Sequence, residues 1–544
     1  MKAAQLNALQ RIYRRHLTKD EVISAELAKF MCGLSHEIRR QIGVLIDRFG
    51  AVKYVIVGDD KQIMLPDLSD FTLGRSGLRG LRCVHTHLKN ESLSQDDLTD
   101  LALLRLDMMV AIGVGPMGLP ASVYYAHLVP ENSQQQQVEQ LFAPSVGQWQ
   151  LEFKLFIHAL ESELERKLDF GRVDLSDPRE RAILISVSQQ RRQDIDDSMC
   201  ELNELARTAD VVVLDQVVQR PQRLNPKYLM GEGKIKEVVI RALQQRATML
   251  VFDQDLTPTQ VRSIAALTDL KVVDRSQVIL DIFARRAHTL DGKVQVELAQ
   301  LKYILPRLSG KGTALSRLMG GIGGRGPGET KLEIDRRRIR ERISRLEKRL
   351  KTMARGRLQR RSKRVRAQVP IISIVGYTNA GKSTLLNSLT SSEVFTEDLL
   401  FATLDTSTRR LRFPLEREVI ITDTVGFIRK LPASLMGAFK STLEELSDAD
   451  LLLHVVDLSN PRYAEQITAV EQILVDLKLG HIQRLLVFNK IDCVDNDEVK
   501  ELCRRHQAIG VCATDRRTFE PLLDQLQQRF WSDTTVDESV SGGD

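Results

Sequence analysis

Short apolar runs alternate with amphipathic segments between residues 180 and 275. Apolar runs of four to six residues are typical of buried strands, and apolar positions three or four residues apart are typical of helices. The pattern predicts strands at 182–187, 211–214, 249–252 and 271–274, and helices at 195–209, 234–245 and 258–267. Because strands alternate with helices, we expect a small parallel α/β domain over residues 179–290. Its loop Gly231–Lys234, at a predicted helix start, is a further candidate for a phosphate contact.

The residues before this domain follow a less regular pattern. They predict helices up to about Arg48, strands at 43–46 and 54–57, a strand at 81–84 and a helix from about Leu98 to Met109. Arg48–Gly50 lies between the first two strands and suits a hairpin turn. A polar, turn-forming segment at about 170–180 indicates a linker. Residues 1–178 are therefore predicted to form an α+β N-terminal extension.

Two helical patterns flank a glycine-rich segment after Gly292. Gly320–Thr330 has six glycines in eleven residues, a composition too flexible to pack alone. The apolar positions before it are Val294, Leu298, Leu301, Ile304, Leu305 and Leu308, and the heptad positions after it are Leu332, Ile339, Ile343, Leu346, Leu350 and Met353. Two helices with matching apolar faces and a flexible connection predict an antiparallel hairpin over residues 291–368.

The second of these helices is strongly basic. Residues 331–368 contain seventeen Lys/Arg and four Asp/Glu, a local balance of +13, so the rest of a chain with net charge +6 sums to −7. This distribution is typical of an arm that binds a polyanion such as RNA, with Arg325 in the connecting loop. The arginines expected to point outward are Arg336, Arg337, Arg338, Arg340, Arg342 and Arg345. The alternatives are a solvated charged helix and a connector that only spaces two domains.

Composition excludes several other classes of protein. A chain of 544 residues is too long for one core and suggests three or four domains. The six cysteines form no C-x-x-C pair, which argues against a disulfide framework and favours a reducing, cytoplasmic environment. The N-terminus lacks the apolar core of a signal peptide, and the most apolar stretch is interrupted by Arg105 and Asp107, so no membrane span is expected.

A phosphate-binding pattern opens the last large domain. Gly376–Thr384 matches G-x-x-x-x-G-K-[ST], with the apolar run Ile371–Val375 before it and a helix predicted from Thr384 after it. In this arrangement backbone N–H groups surround phosphates, a lysine neutralises them and a hydroxyl binds Mg²⁺. The residues expected to contact the nucleotide here are Gly376, Tyr377, Thr378, Asn379, Ala380, Gly381, Lys382, Ser383 and Thr384.

Three later motifs follow in the order that a GTPase requires. Thr403 is the candidate switch threonine for Mg²⁺ and the γ-phosphate. Asp423 and Gly426 form a D-x-x-G, which places a carboxylate near Mg²⁺ and an amide near the γ-phosphate. The N-x-x-D pattern at Asn489–Asp492, with Lys490 inside it, selects guanine because the carboxylate of Asp492 accepts two N–H bonds that adenine cannot donate. Cys512 and Ala513 occupy the position of the loop behind the base.

The P-loop GTPase domain is assigned to residues 369–532, with a mostly parallel sheet, and residues 533–544 to a disordered acidic tail.

The catalytic group that orients water in many GTPases is missing, since Phe427 follows the D-x-x-G where Ras-like proteins carry glutamine. Slow intrinsic hydrolysis is therefore expected, completed by a partner, another residue or a cation. The residues expected to take part in catalysis are Lys382, Thr403, Gly426 and Asn379.

The chain resembles the HflX family of ribosome-associated GTPases, within the TrmE-Era-Obg-HflX group. The resemblance covers about residues 180–530 and depends on Gly320–Thr330, Phe401–Asp405 and Asp423–Arg429. It implies a GTP-dependent cytoplasmic factor that binds the large ribosomal subunit and its RNA, and separates stalled or stress-inactivated ribosomes. It also implies that Asn379 helps to bind K⁺. We expect a monomer.

The extension contains a second candidate site. His85-Thr86-His87 followed by Ser94-x-x-Asp97 is similar to the Zn²⁺ site of JAB/MPN-type metalloproteins, in which two histidines and an aspartate leave a position for water. Two features depart from that family, because Leu88 replaces its proline and Glu37 is the only near candidate for its catalytic acid. The alternative is a histidine pair at a strand end that is hydrogen-bonded within the fold.

Three functions are compatible with these patterns. The first is a GTPase that acts as a ribosome-dissociating switch. The second is a metal-dependent hydrolase in residues 1–178 that GTP regulates. The third is a tRNA-modification GTPase, which predicts dimerisation through the GTPase domain and a modification partner, and which the basic hairpin fits less well.

Overall fold

The protein is described by a computed structural model, and its chain forms two compact units. The first unit contains Met1–Gln190, Val212–Val251 and Thr259–Val272, and the second contains Arg191–Val211, Phe252–Pro258 and Val273–Asp544. Residues 179–290 are divided between the two, so the predicted domain boundaries remain a prediction. The structure describes residues 2–66, 68, 70–74, 77–130, 137–169, 177, 179–308, 331–365, 369–390, 407–413, 417–423, 426–427 and 445–531.

A six-stranded sheet forms the centre of the extension in the first unit. Its strands are β1 (Ile42–Asp47), β2 (Val52–Val57), β3 (Leu81–His87), β4 (Met108–Val114), β5 (Pro120–Leu128) and β6 (Val138–Ala143), and its helices are α1 (Ala3–Ile12), α2 (Ala25–Ile38), α3 (Gln95–Leu104) and α4 (Phe153–Asp169). The strand order is β2-β1-β3-β4-β5-β6. The predicted β1–β2 hairpin is confirmed, and β3 pairs in parallel with β4. All residues of β3 and β4 are buried, so these two strands form the core of the sheet.

The predicted helix from Leu98 to Met109 is wrong in its second half. Helix α3 ends at Leu104, because Arg105 adopts a left-handed conformation with φ +53°. Asp107 then enters the core, where Arg48 Nε donates to its carboxylate at 2.6 Å. From Met108 the chain continues as the central strand β4. A mainly apolar stretch does not show by periodicity alone where a helix ends and a strand begins, which explains the error.

The α/β domain has the predicted alternation of strands and helices. Its strands are β7 (Glu180–Val187), β8 (Val211–Gln219), β9 (Met249–Phe252) and β10 (Lys271–Asp274), in the order β10-β9-β7-β8. Its helices are α5 (Arg192–Thr208), α6 (Glu232–Gln244), α7 (Pro258–Ala265) and α8 (Arg275–Arg286). Helix α8 was not predicted; its start is capped by Asp274, which accepts from Gln277 N at 3.0 Å. Lys234, in the segment predicted to touch phosphate, lies in the first turn of α6, where its Nζ donates to Glu237 at 2.7 Å, and the phosphate contact stays a prediction.

The extension is packed against other parts of the first unit. Ile240 on α6 belongs to the same buried cluster as the residues of β1, β3 and β4. Arg79, whose side chain is 4% exposed, pairs with Asp269 at 2.7 Å. The extension therefore packs against residues 212–251 and 259–272 of the same unit and is not an independent appendage.

The predicted helical hairpin is present in the second unit. Helix α9 (Leu290–Ile304) is followed by a 3₁₀ turn, Leu305–Arg307, and helix α10 covers Lys331–Val365. Val294, Leu298 and Leu346 form a buried cluster, with Leu301, Ile343 and Leu350 packed around it. Arg336, near the start of α10, donates to Leu308 O just beyond α9 at 2.6 Å, which agrees with an antiparallel pair. The glycine-rich connection Gly320–Thr330 lies outside the described residues.

The last part of the second unit is a six-stranded sheet. Its strands are β11 (Ile371–Gly376), β12 (Ser407–Arg412), β13 (Glu418–Asp423), β14 (Leu451–Asp457), β15 (Arg484–Asn489) and β16 (Ile509–Gly510), and its helices are α11 (Lys382–Thr390), α12 (Tyr463–Asp476), α13 (Asn496–His506) and α14 (Glu520–Trp531). The order is β12-β13-β11-β14-β15-β16, and only the edge strand β12 pairs antiparallel. The carboxyl ends of β11, β13 and β15 meet at one edge, where open parallel sheets bind ligands.

Within the part of the chain that the structure describes, no helix has the length and apolar character needed to cross a membrane.

Candidate functional site

The loop after β11 has a backbone that only glycine allows at two positions. Gly376 has φ +153°, and a Cβ added there would lie 2.1 Å from Val455 O. Gly381 has φ +84°, and its added Cβ would lie 2.2 Å from Asn489 Nδ2. These glycines let the loop turn closely between β14 and β15 and then start α11. The predicted helix after the loop therefore begins at Lys382, two residues before the predicted start.

Lys382 is a buried cation at the start of α11. Its Nζ donates to Tyr377 O at 2.7 Å, which holds the side chain across the loop. Burial lowers the pKa of Lys382 to about 8, although the carboxylate of Asp423 favours the charged form. A bound polyphosphate would supply the negative charge that this buried ammonium lacks.

Two predicted Mg²⁺ ligands lie in direct contact. Ser383, in the first turn of α11, donates through Oγ to Asp423 Oδ2 at 2.6 Å, and Asp423 at the end of β13 is 1% exposed. A hydroxyl and a carboxylate are oxygen ligands of the kind that Mg²⁺ prefers beside phosphates. These two side chains therefore fit a Mg²⁺ ion at the end of the loop.

The D-x-x-G segment lies against the phosphate loop. Thr378 N donates to Phe427 O at 2.8 Å, and Phe427 N donates to Gly376 O at 3.1 Å. A Cβ on Gly426 would lie 3.0 Å from Lys382 Nζ and 2.7 Å from Thr378 Cγ2. Phe427 itself is 3% exposed. Gly426 thus contacts the lysine and threonine beside which a γ-phosphate is expected to bind.

Asn489 connects the phosphate loop to the segment behind the predicted guanine site. Its Nδ2 donates to Ala380 O at 2.8 Å, and its Oδ1 accepts from Ala513 N at 2.9 Å. The neighbouring Lys490 pairs with Asp457 at 2.7 Å. Asp492 lies in the 3₁₀ turn Ile491–Cys493 that follows β15. The asparagine therefore orders the site, whereas the carboxylate of Asp492 remains the group proposed to read the base.

The remaining predicted residues have different positions. Cys512 precedes Ala513 and is held by a hydrogen bond from its N to Thr518 Oγ1 at 2.9 Å. Asn379 is exposed at the tip of the loop with φ +62°, a conformation that asparagine tolerates. Thr384 lies in the first turn of α11. Thr403 lies outside the described residues, so its role as a Mg²⁺ ligand remains a prediction.

Sequence reasoning missed a buried network that reaches the phosphate loop. Tyr377 Oη donates to Glu201 on α5 at 3.2 Å, and Glu201 pairs with Arg275 on α8 at 2.6 Å. Arg275 is 3% exposed and also pairs with Asp253 at 2.8 Å. These residues are far apart in sequence and form no motif, so only their positions in the fold bring them together.

The exposed side of α10 carries most of the predicted outward cations. Arg337, Arg338, Arg340, Arg342 and Arg345 are exposed. Arg342 pairs with Glu297 on α9 at 2.6 Å, whereas Arg336 is half-buried by its bond to Leu308. The prediction for Arg336 is therefore wrong, because this side chain closes the end of the hairpin.

The second candidate site of the extension is also assembled. His85 Nε2 lies 2.9 Å from His87 Nε2 and 3.4 Å from Asp97 Oδ1, and His87 Nε2 lies 3.5 Å from Asp97 Oδ2. All three residues are buried. Glu37, the candidate acid, is exposed on α2 and accepts from Gln5 at 3.0 Å.

Three family models match consecutive segments of the chain after residue 195. Residues 196–284 match the family described as GTP-binding GTPase N-terminal, 286–364 its Middle Region, and 371–490 the family described as 50S ribosome-binding GTPase. GTPase HflX of Caldanaerobacter subterraneus subsp. tengcongensis is 45% identical over 363 residues, which are 67% of this chain and 83% of the relative. The chain belongs to the HflX GTPase family.

A second relative agrees with this result. GTPase HflX of Escherichia coli is 44% identical over 325 residues, 60% of this chain and 76% of that protein. Among solved structures, a GTP-binding protein of the archaeon Sulfolobus solfataricus in complex with GDP is 25% identical, with a TM-score of 0.37, and covers 64% of this chain and 98% of its own.

Membership in the HflX family confirms that the chain binds and hydrolyses GTP. It also confirms the resemblance drawn from the glycine-rich and switch motifs. The three matched segments begin at residue 196, so the extension with its His85, His87 and Asp97 cluster lies outside them.

Proposed function

We propose that this HflX GTPase binds the large ribosomal subunit through residues 291–368 and separates stalled or stress-inactivated ribosomes in a GTP-dependent way. The observation that carries the proposal is the exposed arginine face of α10, which directly precedes the strand leading to the phosphate loop. The family matched by residues 371–490 is described as 50S ribosome-binding, which supports the same partner. The protein would act in the cytoplasm as a monomer.

The arginine face suits RNA better than it suits a connector. Arg338, Arg340 and Arg349 are exposed on the helix whose opposite side packs on α9 through Leu346. Arginine presents planar donors that match two phosphate oxygens at once, and each neutralised phosphate makes binding more salt-sensitive. A helix that only spaced two domains would not need an excess of positive charge of this size.

The GTP site would act as the switch. Lys382 would neutralise the β- and γ-phosphates, and Ser383, Asp423 and Thr403 would hold Mg²⁺, which when bound neutralises charge on the transferred phosphoryl group. Gly426 would donate its amide to the γ-phosphate after leaving its contact with Lys382. Hydrolysis would remove the γ-phosphate that accepts from this amide, and the switch segments would then leave their ordered state.

The GTPase site lacks the water-orienting glutamine because Phe427, a buried residue, occupies the position after the D-x-x-G. Asn379 is proposed to supply a ligand for K⁺ near the phosphates. Its side chain is exposed at the tip of the loop, where it is available to a cation bound beside GTP. A cation at this place would supply positive charge in the transition state.

Sedimentation with purified ribosomes in GTP, a non-hydrolysable GTP analogue or GDP tests partner and switch together. We expect co-sedimentation with the large subunit in the analogue and release in GDP. The triple variant Arg338→Ala, Arg340→Ala, Arg349→Ala should bind ribosomes more weakly. The slope of the logarithm of its binding constant against the logarithm of the salt concentration should be shallower by roughly 0.7 to 0.9 per lost phosphate contact. The control is the triple variant Lys500→Ala, Arg504→Ala, Arg505→Ala, which also removes three positive charges but from α13. Equal loss in both variants would contradict a specific role for α10.

The two alternative functions have less support. A metal-dependent hydrolase in the extension needs a general acid or base, and the expected Glu37 is exposed and paired with Gln5. A tRNA-modification GTPase would use the GTPase domain to dimerise and would need a modification partner, and the basic hairpin fits this function less well. We therefore propose the ribosomal function alone.

A further inference from the structure

The segments that match GTPase family models begin at residue 196, so they assign no function to the buried cluster of the extension. His85 and His87 are two residues apart on β3 and so point to the same side of the sheet. The neighbours of His85 across the sheet are Gly43 on β1 and Ala111 on β4, and the neighbour of His87 is Gly113. These small residues leave room for two imidazole rings side by side.

The surroundings of the cluster define which atoms face its centre. His87 Nδ1 lies 3.0 Å from Glu91 O. A carbonyl only accepts, so Nδ1 carries the proton and Nε2 of neutral His87 presents a lone pair. Asp97 Oδ2 accepts from Ser94 N at 2.8 Å and from Ser94 Oγ at 2.7 Å. Hydrogen bonds of this kind, to the outer atoms of histidine and carboxylate, orient ligands around metal ions in proteins.

Hydrogen bonding alone does not satisfy the centre of the cluster. The lone pair of His87 Nε2 and the carboxylate of Asp97 are both acceptors, and a neutral His85 can offer them a single Nε2 proton. His85 Nδ1 is buried and has no hydrogen-bond partner in the described part of the chain. One cation would instead satisfy all three inward-facing atoms at once.

The spacing of the inward-facing atoms fits a tetrahedral ion. Zn²⁺ binds nitrogen and oxygen at about 2.0 to 2.1 Å, which separates the ligands of a tetrahedral site by about 3.3 Å. The observed separations are 2.9, 3.4 and 3.5 Å. Two imidazoles and one carboxylate form a donor set that suits Zn²⁺ and similar first-row ions better than Mg²⁺ or Ca²⁺.

We propose that His85, His87 and Asp97 bind one first-row transition-metal ion, of which Zn²⁺ is the expected species, and that this ion stabilises the extension by joining β3 to α3. The proposed role is structural. No other described His, Cys, Asp or Glu joins the cluster to act as an acid or base. A metal at this point would connect the centre of the sheet to a helix that packs within the same unit.

The experiment uses the full chain, stripped of metal with a chelator and then titrated with Zn²⁺. We expect about one ion per chain by elemental analysis, and an increase in the Tm of the first unit of roughly 5 to 11 °C at a Zn²⁺ concentration a hundred times its Kd. Co²⁺ in place of Zn²⁺ should show the visible absorption of a tetrahedral site. Full-length protein that binds less than about a tenth of an ion per chain, or whose Tm does not change, would overturn the proposal.

The variants separate a metal site from a hydrogen-bonded cluster. His85→Ala with His87→Ala should lose the ion. Asp97→Asn is nearly the same size and keeps the oxygen that accepts from Ser94, so it should fold, but it should bind Zn²⁺ at least about tenfold more weakly. His127→Gln is the matched control, because His127 is a buried histidine whose Nε2 lies 3.3 Å from Glu139 outside the cluster. Equal Zn²⁺ binding by Asp97→Asn and the unmodified chain would show that these residues are not the site.

Discussion

Lys382 combines burial with a position in a phosphate loop, and these two features act on its charge in opposite directions. Burial lowers its pKa to about 8 in the structure. The phosphates of GDP or GTP favour the ammonium form and would raise the pKa again. Binding therefore takes up a proton when the pH lies above the pKa of the free protein.

The sign of this linkage gives a first prediction. GDP affinity should be nearly constant below about pH 7 and should fall as the pH rises, approaching roughly tenfold per pH unit above pH 8, because less of Lys382 carries charge. Titration of a fluorescent GDP analogue between pH 6.5 and 9 measures this. The control is Lys382→Arg, whose guanidinium stays charged. Its affinity should be weaker but less dependent on pH, and identical slopes would show that another group titrates.

A second prediction concerns Asn379. Asn379→Gly removes the amide but accepts the φ of +62°, so folding and GDP affinity should change little. If the amide binds K⁺, the variant should lose most of the difference between GTP hydrolysis rates in K⁺ and in Na⁺. Asn379→Ala separates the two effects, since it also strains the backbone by about 1 to 2 kcal/mol. Full K⁺ stimulation in the glycine variant would exclude the amide as a ligand.

The residues of the GTP site were predictable because each motif is local in sequence. Asn489 and Asp492 are three residues apart, and the phosphate loop is continuous. The contact between Ser383 and Asp423 follows from two motifs that end neighbouring parallel strands. The hydrogen bond from Tyr377 to Glu201 could not be predicted, because the two residues are 176 positions apart and no sequence motif contains both of them.

At the scale of elements, the hairpin depends on a narrow apolar contact. Helix α10 buries Ile339 and Leu346, while most of its other described residues are charged and half-buried or exposed. Leu346 is 3% exposed and packs with Val294 and Leu298 of α9. This apolar contact therefore holds α10 against α9 together with the Arg342–Glu297 ion pair and the bond from Arg336 to Leu308 O.

Leu346→Ala should therefore destabilise the hairpin by roughly 2 to 5 kcal/mol through lost burial and the cavity left behind. Hydrogen exchange of the amides in α9 and α10 would report this as faster exchange confined to the hairpin. The control is Val475→Ala on α12, which is 58% exposed and should change exchange by much less. Protection in α10 that does not change would mean that the helix is held by contacts other than the predicted seam.

Elements with a clear period and short, well-bounded apolar runs were predicted well, whereas one long, mainly apolar stretch was not. The seam of α10 repeats every three or four residues, so its helix and its buried side follow from sequence. Leu101–Val114 is mainly apolar, with Arg105 and Asp107 as its only charged residues, and the left-handed turn at Arg105 that divides it into helix and strand was not visible in its sequence pattern. The helix α8 and the strands β5 and β6 were missed for the related reason that their sequences show no distinct alternation.

At the scale of the whole molecule, the extension and part of the α/β domain share one core. Arg79 contributes to this core through four hydrogen bonds. Its Nη1 donates to Leu68 O and Phe71 O at 2.8 and 2.9 Å, its Nε donates to Leu104 O at 2.7 Å, and its Nη2 donates to Asp269 at 2.7 Å. One side chain thus joins the loop before β3, the end of α3 and residue 269.

Arg79→Ala should lower the stability of the first unit by roughly 3 to 5 kcal/mol, since it leaves buried carbonyls without donors. Asp269→Asn should cost less than about 1 kcal/mol, because Asp269 is partly exposed and solvent screens its charge. Thermal unfolding of both variants measures the difference. Equal effects would mean that the ion pair, and not the buried carbonyls, accounts for the role of Arg79.

The contact between Gly426 and Lys382 has a consequence for the two nucleotides. We expect GDP to bind without moving Gly426, whereas the third phosphate of GTP would need the space between Gly426 and Lys382 and would have to break the hydrogen bonds of Phe427 with Thr378 and Gly376. The measured GTP affinity is then the intrinsic affinity multiplied by the fraction of molecules already open. The ratio of GDP to GTP affinity would therefore report this opening equilibrium, and a ribosome that favours the open form would be detected as a selective gain in GTP affinity.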